Sequence, residues 1–178
     1  MQPRHESQSA QSDDPEFTEP NTLSCSVVSV SGLCVLCDKK DLPESVMNAK
    51  NSNGGVLLNI AGGPAGGTAW PVCFQAQMKL TRAGDLLPMN GAKFAEKLST
   101  APDAKTPQLD RTKKADPEKP AGEWNSYDIV CRGDTIEVSV NGVLQNKISK
   151  CTPAAGKIGF QLEGTPFELR HVRIAPLK

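Results

Sequence analysis

From Trp124 onward the chain places an apolar residue at every second position: Tyr127, Ile129 and Cys131 in one run, then Ile136, Val138 and Val140 in the next. Period-two alternation marks strands that bury one face. Asn141-Gly142 follows the second run. Both residues tolerate the positive φ of a type I′ turn, so 135–140 and 143–148 are predicted to pair as a tight hairpin. Ile158, Phe160 and Leu162 form another inward row, with Lys157, Gly159, Gln161 and Glu163 outward, and Gly164-Thr165-Pro166 turns the chain into a last strand, Phe167 to Ile174. Successive antiparallel strands of this kind hide their apolar faces against a second sheet. An all-β sandwich of two antiparallel sheets is therefore expected. The length of 178 residues suits one core. With 15 Gly, 14 Pro and only 38% hydrophobic residues, a turn-rich β domain is favoured over a helix bundle.

The N-terminal half is less regular. Residues 1–22 are polar and almost free of large apolar groups, so they cannot offset the entropy of ordering and read as a disordered tail, leaving 23–178 as the folded domain. Ser24 to Cys37 carries β-branched residues broken by Ser31-Gly32, which predicts a hairpin of two short strands. Val56 to Ile60 is a short apolar strand running into the glycine-rich loop Gly62 to Gly67. In Trp70 to Leu80, Val72, Phe74, Ala76, Met78 and Leu80 share one strand face, and Cys73, Gln75, Gln77 and Lys79 form a polar face opposite. Ser99 to Gly122 is a long polar loop of the length that often borders a site.

Several function classes are excluded at this point. Twenty Lys plus Arg balance twenty Asp plus Glu, so there is no basic field for nucleic acid or an anionic membrane. No stretch approaches the ~18 apolar residues of a membrane-spanning helix, so no membrane insertion is expected. The acidic N-terminus shows no cationic start and apolar run of an export signal, which leaves localisation unassigned. The glycine-rich loop lacks the following Lys-Ser/Thr of a phosphate-binding P-loop. Two histidines, His5 and His171, and a single Cys34-x-x-Cys37 make no zinc pattern, so neither a metal nor a cofactor is predicted.

Longer stretches carry a resemblance. Asn51 to Gly62 (NSNGGVLLNIAG), Trp70 to Gln77 (WPVCFQAQ), Gly122 to Cys151, Gly156 to Gly164 (GKIGFQLEG) and Phe167 to Leu177 (FELRHVRIAPL) occur in one order. Together they resemble the 3-keto-disaccharide hydrolase family. The resemblance implies a concanavalin A-like jelly roll and a bacterial carbohydrate-active domain acting on glycosides oxidised at the sugar 3-position. It also implies an export signal in most members and, in an exported one, a Cys131–Cys151 bridge. The chain departs from the family pattern. Gln75 stands where the family strand offers a glutamate, Asn53-Gly54-Gly55 stands for Asn-Ser-Gly, and His171 replaces an asparagine. The segment between Cys37 and Asn51 is too short for the aromatic-rich strands expected there.

A sugar site needs an aromatic plate for the ring and amides, carboxylates or Arg for its hydroxyls. Trp70 is the candidate plate, while Trp124 reads as a structural anchor beside Tyr127. Gln75 and Gln77 are the first choice for substrate contact, with Gln161 and Arg170 as further binding residues. Glu163, at the end of its strand, is the candidate for proton transfer, and His171 is the candidate base. Two functions follow as expectations: cleavage of the glycosidic bond of a (3-keto-)disaccharide or glycoside, or saccharide binding without catalysis, as in a carbohydrate-binding module or a decayed paralogue of that family.

Overall fold

A computed structural model describes residues 53–63, 69–101, 103–112, 115–121, 123–163 and 168–177, together with the backbone of 25–34. The predicted tail, Cys37 of the Cys34-x-x-Cys37 pair, most of the glycine-rich loop and the Gly164-Thr165-Pro166 turn lie outside these residues. So does the segment between Cys37 and Asn51.

The chain forms two antiparallel sheets. The first contains β1 (Cys25–Cys34), β5 (Trp124–Arg132), β6 (Thr135–Val140), β7 (Val143–Ile148) and β10 (Val172–Pro176), ordered β10-β1-β5-β6-β7. The short β9 (Glu168–Leu169) pairs with the end of β1. The second contains β2 (Asn53–Ala61), β3 (Val72–Gln77), β4 (Leu86–Met89) and β8 (Lys157–Glu163), ordered β4-β3-β2-β8. The predicted hairpin at 135–148 is present with Val140 opposite Val143, and Asn141 and Gly142 take φ of 48° and 78°.

One expectation is corrected. Cys25–Cys34 is not a hairpin but one strand, antiparallel to β5 along its length, with a register shift between Ser31 and Leu33. Ser31-Gly32 accommodates a bulge where a turn was expected. This strand lies between β10 and β5.

The alternation read from the sequence builds the core. Val56, Leu58, Phe74, Ala76 and Leu86 pack from one sheet onto Tyr127, Ile129, Ile136, Val138, Val140 and Ile148 from the other. Tyr127 is fully buried, and its hydroxyl crosses between the layers to donate to the main-chain oxygen of Gln77 at 3.2 Å. That oxygen also accepts from the backbone of Gly84 at 3.0 Å. Tyr127→Phe therefore orphans no carbonyl and is expected to cost only about 1 kcal/mol, measured by urea denaturation. Cys131 and Cys151 are buried in the same core and are not joined by a disulfide.

Candidate functional site

The second sheet turns Phe74 and Ala76 inward, so Cys73, Gln75 and Gln77 face away from the core. That face does not meet open water. Gln75 is 2% and Gln77 6% exposed, because neighbouring segments rise around them and make them the floor of a groove. The groove has a volume of about 710 Å³, within the roughly 300–1,000 Å³ of small-molecule sites. Trp70, Asn53 and Glu163 line it, as do Lys79, Arg82 and the Lys105–Gln108 stretch of the long polar loop. A smaller hollow of about 440 Å³ adjoins it and shares Trp70 and Glu163, adding Gln161. A separate hollow lined by Pro88, Ala92, Phe94 and Leu98 is mainly apolar and carries none of these amides.

A chain of side-chain hydrogen bonds crosses three strands of the floor. Gln75 Nε2 donates to Gln77 Oε1 at 2.8 Å, to Gln161 Oε1, and to the main-chain oxygen of Gly54 at 3.3 Å. Gln161 Nε2 donates to Glu163 Oε2 at 2.6 Å, and Asn53 Nδ2 donates to the same oxygen at 3.0 Å. The sheet register explains the meeting. Asn53 lies opposite Glu163, and Gly55 lies opposite both Gln161 and Gln77. The Gln75 side chain reaches β8 only by passing over Gly55, where an added Cβ would come within 2.6 Å of its Cγ and 2.8 Å of the Ala76 main-chain oxygen. Gly55→Ala is expected to push the Gln75 amide off Gln161 and to destabilise the fold by about 1–3 kcal/mol, measured by thermal melting with the side-chain amide spectrum as readout.

The surroundings also account for the amide at position 75. A carboxylate there would confront the Gly54 carbonyl with no proton to give, whereas glutamine donates. Cys73, beside it on the strand, is no nucleophile. It is fully buried, and burial pushes its thiol up to about 11, so it stays protonated at neutral pH.

The wall of the groove is held from below. Leu86 and Leu109 exchange backbone hydrogen bonds at 2.9 and 2.8 Å. Asp85 Oδ1 accepts from the Arg111 main chain at 2.6 Å, and its Oδ2 meets Arg82 at 3.3 Å. Glu118 accepts from the main chains of Thr81 and Ala83 and from Arg111 Nη1 at 2.7, 3.1 and 2.9 Å. Burial raises the carboxyls of both Asp85 and Glu118 above the usual range, while these donors pull them back.

Of the residues nominated from sequence, Trp70, Gln75, Gln77, Gln161 and Glu163 converge on the groove and its adjoining hollow. Arg170 and His171 line neither. Arg170 lies over the Trp124 ring, its guanidinium carbon 3.7 Å from the centroid. His171 is exposed between β9 and β10, strands of the opposite sheet, with φ of 54°. Sequence reasoning missed Asn53, Lys79, Arg82, Asn90, Lys105 and Gln108. Two of them carried a signal: Asn53 as the start of the Asn-Gly-Gly stretch, and Lys79 as a member of the strand face that bears Gln75 and Gln77. Among the described residues no cluster of three or more His, Cys, Asp or Glu is placed to hold a metal, and no helix is long and apolar enough to cross a membrane.

A jelly-roll sandwich with an amide-lined groove over one sheet defines a carbohydrate-related protein, hydrolase-like or binding. The sequence model of the 3-keto-alpha-glucoside-1,2-lyase-like domain matches residues 41–175, and the chain belongs to that family. The fold is similar to that of a protein from Parabacteroides distasonis ATCC 8503 assigned as a glycosyl hydrolase, with a TM-score of 0.56 at 13% identity over 89% of this chain and 74% of that one. A second protein from that organism, assigned likewise, aligns with a TM-score of 0.47 at 18% identity over 86% and 78% of the two chains. A homodimeric agglutinin from chicken liver aligns with a TM-score of 0.40 at 15% identity over 84% and 90%. No curated protein matches the chain at significant similarity.

Proposed function

We propose that the chain binds a saccharide in the groove over β4-β3-β2-β8 and breaks its glycosidic bond when the sugar carries a 3-keto group. One observation carries this reading: the relay Gln77–Gln75–Gln161–Glu163–Asn53 holds a carboxylate at the groove beside Trp70.

The chemistry asks for little more. Hydrolysis of an ordinary glycoside takes two carboxyl groups about 5–9.5 Å apart, and Glu163 is the one carboxylate lining the groove among the described residues. A 3-keto sugar needs a single base. Glu163 Oε1 takes the C2 proton, which the adjacent ketone acidifies. The C2 electron pair forms the C1=C2 double bond, and the C1–O bond breaks with its electrons going to the departing alkoxide. The alkoxide takes its proton from the resulting carboxylic acid or from water. Asn53 and Gln161 both donate to Oε2 and so orient the carboxylate, while Gln75 is a positioning residue that acts through Gln161.

A second reading, saccharide binding without catalysis, is favoured by the amide at position 75, which cannot exchange protons near neutral pH. Incubation of the protein with a 3-keto-disaccharide separates the two. Release of the second sugar together with near-ultraviolet absorbance of the conjugated enone supports elimination. Binding with no release leaves the binding module, and absence of both overturns the saccharide reading.

A further inference from the structure

We infer that the saccharide taken by this groove is anionic, with its negative group seated against Lys79 and Lys105. This rests on the saccharide reading above and adds the substrate class. Three cations, Lys79, Arg82 and Lys105, line the groove against one carboxylate, Glu163. The chain as a whole has a formal charge of zero, so the excess is local to the groove.

The cations are not equivalent. Arg82 is shared with Asp85 at 3.3 Å and Asp110 at 3.7 Å, and much of its charge is met by the protein. Lys79 and Lys105 enter no ion pair among the described residues. Lys79 follows Gln77 by two residues, just past the end of β3, so it continues the amide floor into a cationic end. Lys105 reaches the same groove from the long loop before β5. Two ammonium groups that reach one groove from separate segments, neither paired with a carboxylate among the described residues, leave their charge available to an anion of the ligand. Each ammonium supplies point-charge donors suited to a carboxylate or to a sulfate ester. Glu163 sits with Asn53 and Gln161, where neutral hydroxyls and the reacting carbon have amide partners.

Calorimetric titration of the intact chain tests this with neutral cellobiose and maltose, their glucuronate-terminated counterparts, and the corresponding 6-sulfates. The charged sugars are expected to bind at least tenfold more tightly than the neutral ones. That preference should shrink as sodium chloride rises from about 0.05 M to about 0.5 M. The uronate and sulfate arms identify which anion is taken. In the double variant Lys79→Gln/Lys105→Gln the charged-to-neutral ratio should fall to near one, with circular dichroism confirming the fold. Lys147→Gln, on the other sheet, should leave the ratio unchanged. Equal affinity for charged and neutral sugars overturns this inference and leaves the saccharide reading standing. No binding of either kind overturns the saccharide reading and the inference with it.

Discussion

Replacing Glu163 by glutamine is expected to lower turnover of a 3-keto-disaccharide by about 10²–10⁴-fold, the usual contribution of a positioned general base, while saccharide affinity changes by no more than a few fold. The substitution is nearly isosteric. One oxygen remains to accept from Asn53 and Gln161, so the hydrogen-bonded row is kept and only the capacity to take a proton is lost. His171→Ala is the control. His171 lines neither the groove nor the hollow beside it and is expected to leave turnover unchanged. Equal turnover by wild type and Glu163→Gln would remove Glu163 from the chemistry. An equal loss in His171→Ala would bring that residue back into it.

Glu118→Ala is expected to destabilise the protein by about 3 kcal/mol, the scale for breaking a buried ion pair from one side. At this chain length that corresponds to roughly 10 °C in the melting temperature. The Glu118 side chain is 7% exposed, and its two oxygens meet two main-chain N–H groups and the guanidinium of Arg111. Alanine leaves all three donors short of an acceptor, and Arg111, itself only 13% exposed, keeps Asp116 alone of its two acidic partners. Glu118→Gln retains an acceptor and should cost about a third as much. The loss should also reach the ligand. Arg111 ties Glu118 to the loop that presents Lys105–Gln108, so a loosened anchor weakens saccharide binding without touching the floor. A melting temperature within 2 °C of wild type would show that the anchor is dispensable.

Much of this architecture was legible in the residues. Alternation at Tyr127/Ile129/Cys131 and Ile136/Val138/Val140, with Asn141-Gly142 between strands, led directly to β5, β6 and β7, because period and turn chemistry are local properties. Gly32 misled for the same reason. As a residue it suits a turn or a bulge, and only the pairing of β1 with β5 and β10, set by distant parts of the chain, selects the bulge. The row of Gln75, Gln77, Gln161 and Glu163 was legible as two outward-facing strand patterns. That they form one network was not, since it depends on β2 lying between β3 and β8 with Gly55 beneath the crossing side chain. Their burial was hidden too. Alternation reports which side a residue faces, not whether a loop from residues 105–108 stands over it. Arg82 and Lys105 gave no signal because lone cations in polar sequence usually mark a solvated surface, and Lys79, though on the face of Gln75 and Gln77, was passed over for the same reason.

The central claim, that a saccharide occupies the groove over the four-stranded sheet, is tested most directly by following amide resonances while the ¹⁵N-labelled chain is titrated with a 3-keto-disaccharide. Saturable shifts are predicted at the side-chain amides of Gln75, Gln77 and Gln161, the indole of Trp70 and the backbone amides of Lys105, Thr106 and Gln108, with Trp124 and β10 silent. Shifts confined to Trp124, Arg170 and β10 on the opposite sheet would contradict it.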